Sequence, residues 1–180
     1  MKEFVPRHDI LAVTNKEIAM RRRQVFAVLG LGFLARHAHA AVGATAAPAI
    51  TPLRLSDAEW QKRLTPFQYR VLRKEGTEAA HTSALNHEKR PGTYHCAGCA
   101  LPLFGSDSKY DSGTGWPSFF AALPGAIATK TDYTLIFPRT EYHCARCEGH
   151  QGHVFGDGPK PTGKRYCNNG VALNFVAVAA

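Results

Sequence analysis

From Gly92 onward the chain reads as short extended segments broken by turns, while helix signals are confined to the stretch before it. Ser56-Asp57-Ala58-Glu59 and Thr65-Pro66-Phe67-Gln68 both carry the capping-box pattern, with Pro66 suited to a first helical position and Gly76 to a stop. The pattern predicts two short helices whose Leu64, Phe67, Val71 and Leu72 cover one side of a sheet. Beyond them, Tyr94-His95, Leu101-Pro102-Leu103-Phe104, Tyr133 to Phe137 and Glu141-Tyr142-His143 read as strands, with Pro138-Arg139 breaking the third. A turn-rich run, Pro159, Pro161 and Gly163, precedes the last extended stretch. There Val171, Leu173 and Phe175 interleave with Ala172, Asn174 and Val176, predicting a closing strand. The fold class is therefore mainly β, of the α+β kind, in one domain.

The first 50 residues read as an address. Arg21-Arg22-Arg23 precedes an apolar run from Val25 to Ala35, and Ala38-His39-Ala40 offers the small-x-small pattern of a signal-peptidase site. An apolar run of that length is too short for a bilayer, which needs about 20 residues. We therefore expect an export signal over 1–40, a linker over 41–52 and the folded domain over 53–180, with no stable membrane insertion. The arginines resemble a twin-arginine signal, although Val25 stands where that motif prefers Phe. Met20 is an alternative start. The expected location is periplasmic or exported, or cytoplasmic if the segment is not a working signal.

Charge changes the picture little. The formal net charge is +8, but residues 1–40 hold seven Lys or Arg against three Asp or Glu, and the remainder fifteen against eleven. No cluster of basic and exposed aromatic residues follows the signal region, so a nucleic-acid partner is not expected.

Cysteine spacing is more informative. Of five cysteines, four form two Cys-x-x-Cys knuckles, Cys96/Cys99 and Cys144/Cys147, and Cys167 stands alone. Four thiolates in two such pairs suit a tetrahedral structural Zn²⁺, with Gly98 allowing the tight turn one knuckle needs. A redox dithiol is the competing reading, disfavoured because neither pair opens a helical pattern. His143, His150 or His153 could replace a cysteine ligand. Around Cys167 an extended register puts Arg165, Cys167 and Asn169 on one face, where a guanidinium would lower the thiol pKa. A small buried hydrophobe is the plainer reading of the same residue.

Three stretches have compositions that no structural role demands: Tyr110 to Phe119 (YDSGTGWPSF), Gly149 to Phe155 (GHQGHVF) and the Cys167 stretch. Together with CAGC, CARC and the closing strand they resemble the B-type methionine-R-sulfoxide reductases from about Leu64 to Phe175. The resemblance implies two small antiparallel sheets with short N-terminal helices and a structural zinc away from the active site. It implies Cys167 as nucleophile, surrounded by Trp116, His150, His153, Arg165 and Asn169, with Phe155 as a further pocket wall. The implied activity is repair of proteins or peptides carrying oxidised methionine, under oxidative stress, by a monomer recharged by a thioredoxin-like or other external thiol. The bare chemistry agrees. A methyl sulfoxide needs an aromatic wall for its methyl and donors for its S–O group, and an imidazolium from His150 or His153 suits the departing oxygen. The chain departs from many relatives at Thr114, where they carry a resolving cysteine. That departure implies a single-cysteine cycle through a Cys167 sulfenic acid. A non-catalytic zinc-binding interaction module is the alternative.

Overall fold

The computed structural model describes residues 49–179, so the expected export segment and most of the linker lie outside it. Helices α1 (Asp57–Arg63) and α2 (Pro66–Lys74) form where the capping boxes predict them, each with its reciprocal side-chain and backbone bonds. Trp60, Leu64, Val71 and Leu72 are buried. Phe67, expected beside them, is instead exposed beneath the Arg70 guanidinium, 4.7 Å from its ring centre.

Nine strands follow among the described residues: β1 (Gly92–Cys96), β2 (Pro102–Gly105), β3 (Lys109–Tyr110), β4 (Ser118–Phe119), β5 (Ile127–Asp132), β6 (Arg139–Cys144), β7 (His150–Phe155), β8 (Arg165–Asn168) and β9 (Leu173–Ala177). They make two antiparallel sheets, ordered β2-β1-β9 and β3-β4-β8-β7-β6-β5. An aromatic core joins them: Phe104 stacks on Phe119 at 4.2 Å, Tyr94 meets Phe119 edge-on at 4.9 Å, and Tyr142 meets Tyr166 at 5.4 Å. Offset and edge contacts of this kind are favoured by the ring quadrupoles. No helix among the described residues is long and apolar enough to cross a membrane.

Two predicted strands differ. Tyr133 to Phe137 is not a strand but the tip of the β5–β6 hairpin, with Tyr133, Leu135, Ile136 and Phe137 exposed. The ladder ends at Asp132 opposite Arg139 because the Asp132 side chain accepts from the Thr134 N–H, an Asx turn that pulls the backbone out of register. The closing strand is also split. A 3₁₀ turn over Gly170–Ala172 takes Val171 out of extended backbone and carries the chain from one sheet to the other.

Candidate active site and metal centre

The six-stranded sheet has one face in the aromatic core and the other turned to a cleft. In antiparallel pairs, directly opposed residues share a face. His153 opposes Cys167, Ser118 opposes Cys167 on the other side, Phe155 opposes Arg165, and Glu141 opposes His153. Tyr142, Tyr166 and Phe119 fall on the core face. Strand periodicity alone would set His150 and His153 on opposite faces. A register shift between Tyr142 and His143 makes Gln151 the extra residue of a bulge, and the two imidazoles come to lie with ring centres 5.6 Å apart.

The cleft, of about 120 Å³, is bounded by Trp116, His153, Phe155, Cys167 and Asn169, which the sequence singles out, and by Thr77 and Arg139, which it does not. One water needs about 10–15 Å³ of such space, so the cleft has room for a small group such as a methyl sulfoxide. Gly152 is part of its floor, and a Cβ there would lie 1.9 Å from the Cys167 carbonyl oxygen. Only glycine lets β7 approach β8 at this point.

His153 is oriented by Asp132. Its Nε2–H donates to Oδ2 at 2.7 Å, and Arg139 donates to the same oxygen at 2.6 Å. The Thr134 hydroxyl and N–H beside Asp132 hold its carboxyl well below the usual range, aided by His153 and Arg139. A carboxylate facing Nε2 keeps the hydrogen on that nitrogen, which leaves Nδ1 as the free position. Burial lowers the His153 pKa, with Asp132 acting against it. His150 does not line the cleft. It is buried, with Nδ1 2.8 Å from Glu141 and Nε2 without a partner among the described residues.

Arg165 favours the Cys167 thiolate as expected, but burial outweighs it. Burial pushes the Cys167 thiol up, and the contacts with Thr114 and Arg165 that favour the thiolate do not offset it. Arg165 shares the face as expected. Its guanidinium, however, is held in a fork by Asp157, at 2.9 Å through both Nε and Nη2, and lies over the Phe155 ring at 4.3 Å. The Asp157 carboxylate that holds it acts on Cys167 in the opposite direction.

Trp116 and Asn169 are both held by a residue that motif reading missed. The Glu78 carbonyl accepts from Trp116 Nε1 at 2.9 Å, its N–H donates to Asn169 Oδ1 at 2.8 Å, and its buried carboxylate accepts from the N–H groups of Gly170 and Val171. A lone Glu in a loop carries no spacing signal. The Asx pattern Asp132-x-Thr134 is at most a turn cue.

Away from this cleft, Cys96, Cys99, Cys144 and Cys147 are buried with their sulfurs all within 4.8 Å of one another. The Cys96–Cys147 and Cys99–Cys144 separations are 3.6 and 3.4 Å. A tetrahedron with Zn–S near 2.3 Å has edges of about 3.8 Å, so the set fits such an ion. The separations also exceed any disulfide. The two knuckles are built alike. Ala100 N–H returns to the Cys96 carbonyl, Glu148 N–H returns to the Cys144 carbonyl, and Ala100 and Glu148 are left-handed, at φ 60° and 58°. The tight turn thus falls on the residue after each second cysteine and not on Gly98, correcting the expectation. No histidine joins this cluster among the described residues.

The fold and site define a small β domain that keeps one sulfur in a cleft and gathers four others into a cluster able to hold a metal ion. The chain belongs to the SelR domain family, the B-type methionine-R-sulfoxide reductases, whose model matches residues 64–177. It is similar to the chloroplastic peptide methionine sulfoxide reductase B1 of Arabidopsis thaliana, 53% identical over 125 residues, covering 69% of this chain and 62% of that one. The rice (Oryza sativa) chloroplastic B1 protein is 53% identical over 120 residues, 66% of this chain and 56% of that one. The peptide methionine sulfoxide reductase MsrB of Leptospira interrogans is 52% identical over 121 residues, 67% of this chain and 92% of that one. The chain thus spans less than two thirds of the plant relatives it matches.

Proposed function

We propose that this chain reduces methionine-R-sulfoxide in oxidised proteins or peptides to methionine, with Cys167 as the nucleophile. The placement of Cys167 carries the reading. It is the cysteine outside the Cys₄ cluster, it opens on a cleft with Trp116 and Phe155 as aromatic walls, and His153 stands opposite it on the next strand.

The substrate methyl rests against the aromatic walls, and its oxygen faces His153, Arg139 and Asn169. Burial favours the thiol form of Cys167 and the neutral imidazole of His153. As Sγ attacks the sulfoxide sulfur, its proton passes to His153 Nδ1 and from there to the sulfoxide oxygen. The transient bond between Sγ and the substrate sulfur then breaks together with the substrate S–O bond, as the oxygen moves to Cys167 and an Sγ–O bond forms. Methionine sulfur gains the two electrons that Cys167 sulfur loses, leaving Cys167 as a sulfenic acid. His153, which lines the cleft, delivers the proton; His150, paired to Glu141, supports it from behind the bulge. Arg165 stiffens the Phe155 wall.

Thr114 Oγ1 lies 4.0 Å from Cys167 Sγ, where a resolving thiol would be needed. The cycle therefore closes from outside. An external thiol displaces water from the sulfenic acid to give a mixed disulfide, and a second thiol, free or in a thioredoxin-like protein, releases Cys167. The Cys₄ centre holds a structural Zn²⁺ that staples the knuckles without entering the chemistry. We further propose a monomer exported to the periplasm by residues 1–40. Replacing Arg22-Arg23 by Lys-Lys should retain the precursor inside, and unchanged export would exclude the twin-arginine route.

The test of the activity is turnover of the separate R and S epimers of a methionine sulfoxide substrate with dithiothreitol, for wild type and Cys167→Ser. R-only turnover, lost on substitution, is expected. Activity surviving in Cys167→Ser refutes the reading, and a zinc-loaded protein with no turnover points to an interaction module.

A further inference from the structure

The bulge that brings the two imidazoles together sends the Gln151 side chain to the metal centre. This residue is wholly buried, with Nε2 3.5 Å from Cys96 Sγ and 3.4 Å from the Gly149 carbonyl. Its Oε1 has no partner among the described residues. The opposite amide orientation would aim a carbonyl oxygen at the sulfur, acceptor against acceptor, so the N–H is the group that faces Cys96. An unpaired buried carbonyl costs free energy that an apolar side chain of similar size would avoid. The compensating bond, N–H to sulfur, is strong only when the sulfur is charged. Cys96 as a metal-bound thiolate is such an acceptor, and as a neutral thiol it is a weak one. The amide therefore favours the metal-loaded protein over the metal-free one. The same residue also reaches the cleft, since its backbone carbonyl accepts from the N–H and the Nδ2 of Asn169 at 2.8 and 3.0 Å.

We infer that Gln151 is a positioning residue of the metal centre, which tightens metal binding through Cys96 and ties that centre to Asn169 at the cleft. This rests on the proposal that the four cysteines hold Zn²⁺.

The experiment compares wild type with Gln151→Leu and Gln151→Met, both of which remove the N–H donor and the orphan carbonyl. Two variants of different shape guard against a packing fault in one. Zinc content and Zn²⁺ competition against a chromophoric chelator are measured first. Partners of metal ligands typically change metal affinity by about 10–100-fold, and a loss in that range is expected in both variants. With Co²⁺ in place of Zn²⁺, the sulfur-to-metal charge-transfer band should move to lower energy, because the lost hydrogen bond no longer stabilises the sulfur lone pair. A purely structural role would leave that band unmoved. Wild type that binds no zinc overturns the metal reading and this inference with it. Zinc-loaded wild type whose variants match it in affinity and in the Co²⁺ band overturns the role of Gln151 alone.

Discussion

Removing the Glu78 carboxylate tests how the cleft is held open. Its Oε2 is 2.5 Å from Gly170 N and 3.3 Å from Val171 N, at the start of the 3₁₀ turn that follows Cys167. Gly170 is buried, and a Cβ on it would lie 1.8 Å from Ser83 Oγ, so the loop packs closely against Ser83 at this point. In Glu78→Ala the Gly170 N–H loses a charge-assisted partner, at about 1.5–3 kcal/mol. Val171 is half-buried and partly rehydrates, adding about 0.5–1 kcal/mol. The total of about 2–4 kcal/mol corresponds to a fall in Tm of roughly 8–16 °C for a domain of this size. Glu78→Gln keeps an acceptor but not the charge, and should lose about half as much. Because the Glu78 backbone also holds Trp116 and Asn169, loosening its loop should raise KM for the sulfoxide more than it lowers kcat. Melting of the zinc-loaded variants by calorimetry, with steady-state kinetics below the transition, reads both effects. A Glu78→Ala protein melting within about 2 °C of wild type, with KM unchanged, refutes the reasoning.

Asp157→Asn should release Arg165 and remove a nearby negative charge, both of which favour the Cys167 thiolate. Burial holds the folded pKa above the ordinary thiol value, so wild-type alkylation by iodoacetamide should rise only at alkaline pH and the variant curve should shift to lower pH. A curve that stays put or moves upward contradicts the assignment of causes. Reduced enzyme given one equivalent of sulfoxide without reductant should form a dimedone adduct on Cys167 with zinc retained, whereas an internal disulfide with zinc released would mean that a knuckle cysteine resolves the sulfenic acid. Thr114→Cys should create such a disulfide without metal loss, since the side chains already approach to 4.0 Å. Cys147→Ser should lower metal content and Tm together, because metal binding contributes directly to folding in small metallo-domains; a folded, active, metal-free variant would remove the structural role of the centre.

What the chain order alone determines is local. Capping boxes at Ser56 and Thr65 specify two helices because each is closed within four residues, and Cys-x-x-Cys pairs specify thiols placed to hold a metal because the spacing itself builds the knuckle. Motif order likewise marks Trp116, His153, Phe155, Cys167 and Asn169, all of which line one cleft. Tertiary structure decides whatever depends on residues far apart in sequence. The hairpin ladder, and not the apolar content of Tyr133 to Phe137, sets where β5 ends, because Asp132 spends its side chain on the turn and on His153. A bulge at Gln151 sets the face of His150, since one added residue inverts the alternation of a strand. Glu78 joins the site through bonds to Trp116 and to residues 169–171, about 90 positions on for the latter, a contact no spacing rule contains. The protonation of Cys167 is decided in the same way: the sequence places a cation two residues away, but only the folded chain pairs that cation with Asp157 and buries the thiol, and at this site desolvation outweighs a neutralised charge.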